Sequence, residues 1–167
     1  KPLFLFFFGS MPQPLLKYDE TGLYGTFPFD VNDFLDEFHV VIVGKPGIPV
    51  ISDVKDLKNN YQYLVENDSV PKTYSDNNYL DYYVNRNNFV INKLLKENWI
   101  SNSKLVIAGH SEGSTIAAKL ATKNNKVTHL IYSGGNPYGR FSSMLEEEVY
   151  KRKNYELIEY WKFVVEN

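Results

Sequence analysis

The hydrophobic pattern is clearest at the start of the chain, where Leu3-Phe4-Leu5-Phe6-Phe7-Phe8 is apolar without interruption. A run without alternation predicts a strand covered on both faces, as in a parallel sheet. It passes into a glycine and proline loop, Gly9-Ser10-Met11-Pro12-Gln13-Pro14. Residues 15–30 carry Gly22, Gly25 and Pro28 and read as irregular, after which Asp30 can cap a short helix to about Phe38, with Phe34, Leu35 and Phe38 on one face. His39–Val43 is a second strand, closed by the turn-rich Gly44–Pro49. Residues 53–67 are weakly helical and 68–78 polar. From a cap at Ser75 or Asp76, the residues Leu80, Tyr83, Val84, Ile91, Leu94 and Leu95 recur at helical spacing toward Trp99 and predict a crossover helix. A third strand at Lys104–Ala108, a helix from Ser111 to about Lys123 and a fourth strand at Val127–Tyr132 follow, then helical stretches at Phe141–Lys151 and Tyr155–Val165. This alternation predicts an α/β fold, a parallel sheet of about four strands flanked by helices and joined by right-handed crossovers.

Composition narrows the partners more than the fold. In 167 residues, 18 Lys and Arg stand against 20 Asp and Glu, a formal charge of −2 with no long single-sign run, which disfavours a nucleic acid or anionic membrane partner. The absence of cysteine excludes disulfides and thiolate chemistry and leaves the compartment open. The opening apolar run is too short for a secretory signal and lacks a small-residue cleavage site, so it is expected to be a buried strand, any targeting segment lying upstream. No stretch has the length of a transmembrane segment. No His and carboxylate cluster has metal-ligand spacing and no phosphate loop occurs, so neither metal nor cofactor is expected.

The candidate chemistry lies at Gly109-His110-Ser111-Glu112-Gly113, between the apolar Leu105–Ala108 and the small-faced helix carrying Ala117, Ala118 and Ala121. A serine hydroxyl becomes a nucleophile when a base takes its proton and when it stands clear of its own backbone, which a sharp strand-to-helix turn provides. Such a turn crowds the positions on either side, and Gly109 and Gly113 relieve the crowding. The helix after Ser111 also directs unpaired N–H groups toward a developing oxyanion.

Ile107-Ala108-Gly109-His110-Ser111-Glu112-Gly113 resembles the nucleophile elbow of the α/β-hydrolase superfamily, in its serine esterase and peptidase branch, and the resemblance extends over most of the chain. Leu5-Phe6-Phe7-Phe8-Gly9-Ser10 is similar to that family's third strand and oxyanion loop, with Phe8 where histidine is usual. The resemblance implies that Ser111 attacks an ester or peptide (amide) substrate, with the backbone N–H groups of Glu112 and of Ser10, or of Met11, as the oxyanion hole. It implies strand order 4-3-5-6 in family terms. The strand order then reverses between the first and third strands, and their two loops face one crevice.

The family also needs an acid and a histidine base, in that order after the serine. His39 and His129 begin their strands, at the far end of the sheet from Ser111, and His110 is expected to turn away from the nucleophile, into or beside the core, in a structural role. The loop Ser133-Gly134-Gly135-Asn136 holds no carboxylate. The acid and base are therefore expected on a missing C-terminal part. Residues 1–140 would be a partial hydrolase core and 141–167 the start of a helical lid, with the fragment inactive alone; a non-catalytic relative that keeps the pocket for binding is the alternative. Tyr138 and Arg140, in the loop after the fourth strand, are candidate substrate contacts, as is Met11. Phe141, Met144, Leu145, Tyr155, Tyr160, Trp161 and Phe163 either line an apolar pocket or pack the lid. Arg86 is expected to pair elsewhere than Asp81, and Glu146–Lys153 to form a solvated face with i, i+4 pairs.

Overall fold

The computed structural model describes residues 1–137 and 139–166, without the side chains of Arg140, Phe141 and Val165. Strands β1 (Leu3–Phe7), β4 (His39–Ile42), β6 (Leu105–His110) and β7 (His129–Ser133) form a wholly parallel sheet in the order β4-β1-β6-β7. All five residues of β1 are buried, because the strand is central and both its faces are covered. Leu3, Leu5 and Phe7 share one core with Leu105 and Ile107, beneath Val84 and Ile91 of helix α3 (Leu80–Leu94) and Ile116, Ala117 and Leu120 of helix α4 (Glu112–Lys123). Phe4, Phe6, Val106 and Ala108 face the other way, into a second core closed by Phe27, Phe29, Phe34 and Phe38.

That second cover comes from a segment that reads as irregular. Within it, β2 (Leu16–Asp19) and β3 (Gly22–Gly25) make an antiparallel hairpin, and β5 (Ile51–Asp53) joins β2 in parallel, giving a second sheet of order β3-β2-β5. The short helix α1 (Asn32–Leu35) starts beside Asp30, whose carboxylate accepts the Asn32 N–H at 2.9 Å. Phe34 and Phe38 pack against Phe4, but Leu35 is exposed, since one turn of helix can present only one side to the sheet.

Residues 53–67 are not a helix. They hold the end of β5 and isolated 3-10 turns, with Asn60, Tyr61 and Asn67 at φ of 57° breaking any longer helical run. The expected cap at Ser75 or Asp76 is also corrected. These residues lie inside a separate helix, α2 (Lys72–Asn77), which follows Pro71 and ends where Asn78 leaves helical geometry (φ −85°, ψ 62°); α3 begins afresh at Leu80. Arg86 donates to the Gly44 carbonyl at 2.6 Å while Asp81 takes Lys119 at 2.8 Å. β7 ends the sheet order and is exposed along its length.

The chain forms two compact units, Lys1–Ser133 and Gly134–Asn167. In the second, helix α5 (Arg140–Glu147) runs into a π-helical turn at Glu148–Arg152, and α6 (Tyr155–Glu166) follows after Lys153 in the left-handed region. Arg152 pairs with Glu147 and Glu148, but Glu148 is buried, so this face is not wholly solvated as its charges predict. Among the described residues no helix is long and apolar enough to cross a membrane.

Candidate active site

β6 carries the chain to Ser111, which stands at φ 55°, ψ −125°, a combination that costs a non-glycine residue about 1–3 kcal/mol and persists only where its surroundings impose it. The imposing contacts are local. The Ser111 N–H donates to the Ser133 carbonyl at the end of β7 (3.0 Å), and the Ser111 carbonyl accepts both the N–H (3.0 Å) and the hydroxyl (2.5 Å) of the fully buried Ser114. Both elbow glycines are required on steric grounds. A methyl on Gly109 would lie 2.1 Å from the Gly113 carbonyl oxygen, and one on Gly113 would lie 1.9 Å from that of Phe7 in β1. Helix α4 thus starts directly against β1 because Gly113, in its first turn, has no side chain there.

The loop after β1 reaches the same place. A methyl on Gly9 would lie 3.7 Å from the Ser111 hydroxyl oxygen. The backbone N–H groups of Ser10, Met11 and Glu112 make no hydrogen bond outside the sheet and helix ladders among the described residues. The Ser10 carbonyl accepts the Tyr74 hydroxyl, and since a trans peptide points its C=O and N–H in opposite directions, this turns the Met11 N–H away from Tyr74.

Behind both loops sits Lys45, in the turn after β4. Its ammonium donates to the Glu112 carboxylate at 2.8 Å and lies 4.8 Å from the ring centre of Tyr83, 5.7 Å from that of Phe8 and 5.8 Å from that of Tyr74. One buried cation therefore touches the turn at Ser111 through Glu112, and the loop after β1 directly at Phe8 and indirectly through Tyr74, which bonds the Ser10 carbonyl. Burial pulls the Lys45 pKa below its ordinary value, with Glu112 opposing, and pushes the Tyr74 hydroxyl up to about 12, with the Glu112 charge adding to the effect.

In front of the serine lies a half-open pocket of about 420 Å³, lined by Phe6, Phe8, Met11, Phe27 and Pro28, with Gly9, Ser10, Gln13, Thr26, His110 and Ser111 completing it. His110 is exposed, not set into the core, and its Nδ1 meets the Ser133 hydroxyl at 3.2 Å. A five-residue strand carries the chain beyond the reach of a side chain at its start, so the remaining histidines stay at the opposite end of the sheet. His39 pairs with Leu3 in register and packs edge-on against Trp99; His129 pairs with Val106 and bonds the Thr128 hydroxyl. Among the described residues, no side chain hydrogen-bonds the Ser111 hydroxyl, and no group of His, Asp and Glu is arranged to hold a metal ion. Tyr138 lies outside the described residues, and Arg140 is placed only as the first residue of α5.

Sequence reasoning missed Lys45, Tyr74, Ser114 and the Phe27–Pro28 wall. Ser114 alone had a local signal, as a small polar residue three positions after Ser111, where a hydroxyl reaches back to the preceding turn. Comparison with protein-family models, with curated proteins and with solved structures finds no match to this chain.

Proposed function

We propose that the protein is a serine hydrolase of α/β-hydrolase type, cleaving an ester or peptide (amide) bond through an acyl-enzyme on Ser111. The observation that carries this reading is the strained Ser111 backbone held beside Gly9, with unspent N–H groups on both flanking loops. A strained non-glycine residue is maintained at a cost, and an exposed hydroxyl beside free backbone donors is what acyl transfer uses. In this reading β4, β1, β6 and β7 correspond to the family's strands 4, 3, 5 and 6. Ser111 attacks the carbonyl carbon, and the Glu112 N–H with that of Ser10 or Met11 receives the oxyanion. The general base and its acid come from outside residues 1–167, and the helices from Arg140 onward begin a lid.

Treatment of the native polypeptide with a fluorophosphonate probe, with Ser111→Ala as control, tests the reading. The expected result is a single modified peptide containing Ser111. A folded native protein that never labels would sink the enzyme and leave the non-catalytic, pocket-keeping relative in its place.

A further inference from the structure

We infer that the pocket beside Ser111 selects the uncharged, apolar group of its substrate and rejects a carboxylate or ammonium at that position. The inference rests on the reading of Ser111 as the reacting centre only for which end of the ligand the carbonyl occupies.

Three features of the pocket carry it. Its walls are the rings of Phe6, Phe8 and Phe27 with Met11 and Pro28; no Asp, Glu, Lys or Arg lines it, and its one histidine, His110, lies at the Ser111 end and meets the Ser133 hydroxyl. The Thr26 hydroxyl and the Gln13 amide NH2, away from the serine, are already engaged. The Thr26 hydroxyl donates to the Pro14 carbonyl and accepts from the Lys17 ammonium, both at 2.6 Å, and the Gln13 amide donates to the Asn60 carbonyl at 2.5 Å. The two nearby cations are withheld as well, Lys17 being buried behind Thr26 and Lys45 spent on Glu112. Polarity in the pocket is therefore segregated. Free donors stand at the Ser10–Met11 and Ser111–Glu112 end, and hydrocarbon forms the rest.

An amphiphilic ligand with a carbonyl at one end and an aryl or alkyl group at the other matches that division. An ion inserted among the phenylalanine rings would lose its water and meet no counter-charge. A cavity of roughly 150 Å³ already accommodates benzene. A volume of about 420 Å³ thus admits a substituted ring or a short branched chain.

Fluorine NMR on the 167-residue chain tests this without turnover. Three probes share one fluorinated ring and one acetyl group and differ only at the position opposite the acetyl: the neutral ketone 2-fluoro-4-methylacetophenone, 4-acetyl-3-fluorobenzoate and 4-acetyl-3-fluorobenzylammonium. The neutral ketone is expected to bind on the order of tenfold tighter than either ion. Met11→Glu, at an exposed rim position, should weaken the ketone several-fold, whereas Met11→Lys should narrow the gap between benzoate and ketone. Ser111→Ala should still bind the ketone. An ion that binds as tightly as the ketone, ketone binding indifferent to Met11→Glu in a variant of unchanged circular dichroism, or no ketone binding would each overturn the inference. Failure of the hydrolase reading shows elsewhere, as absence of fluorophosphonate labelling, so the two fail separately.

Discussion

Lys45 and Glu112 are an unequal pair, with side chains 4% and 32% exposed, and their removal should be unequal too. Glu112→Ala strands a buried ammonium, at a cost of about 3–5 kcal/mol, whereas Lys45→Met removes the charge from the interior and leaves Glu112 partly solvated, a change of about 1 kcal/mol in either direction. Urea unfolding at pH 7 measures both. The pH dependence follows from the depressed Lys45 pKa. Between that value and the ordinary 10.5, the unfolded chain holds a proton that the folded one has released, so stability rises with pH across this window. The stability difference between Lys45→Met and wild type should therefore shift in favour of wild type as alkaline pH is approached. Equal losses for the two substitutions at pH 7 would contradict the account. Ser111, Gly109 and Gly113 were legible in the sequence because an elbow is built from neighbours. Lys45 was not, since it lies 67 residues from Glu112 and nothing near it distinguishes it from a surface lysine.

The β2–β3 hairpin was hidden for a related reason. Its turn is Glu20-Thr21, without the Asn-Gly or Asp-Gly that marks a tight hairpin, and its strands lack clean alternation. Gly22 leaves the turn at φ 147°, and Asp19 holds it by accepting the hydroxyl (2.6 Å) and N–H (2.8 Å) of Thr21 and the hydroxyl of Tyr24. The Thr21 hydroxyl first, then that of Tyr24, hold the Asp19 carboxyl down at about 2, while Asp19 in turn pushes Tyr24 up to about 12. A carboxylate depressed in the folded state stabilises it above the ordinary pKa of 3.8, and that contribution disappears as pH falls through about 2. The protection factors of the amides in residues 16–25, that is their exchange relative to the intrinsic rate at each pH, should fall from about pH 4 downward. In Asp19→Asn the same amides should be less protected at pH 5 and show little further change on acidification. An acid profile identical in the two proteins would refute this. The aromatic cover was legible only in part: Phe34 and Phe38 fall on one face of the predicted helix, whereas Phe27 and Phe29 lie in a loop, which has no period from which a shared direction is read.

Taken as a molecule, the first unit gathers an exposed, strained serine, backbone donors and an apolar pocket at one end of a parallel sheet, and holds His39 and His129 at the other. His110 is engaged with Ser133. The 167-residue chain alone should thus hydrolyse 4-nitrophenyl esters no faster than its Ser111→Ala variant, and serine-dependent turnover would show that one of these histidines acts as base. The parallel sheet, its central doubly covered strand and the elbow were all present in the sequence, because strand burial, turn sterics and helix onset are set by residues a few positions apart. The Lys45 and Tyr74 brace behind the loop after β1, the Phe27–Phe29 part of the aromatic layer and the apolar pocket were not. They arise where segments remote in the chain meet, and the residues that meet there, a lysine, a tyrosine and scattered phenylalanines, acquire their roles from the neighbours that folding brings to them.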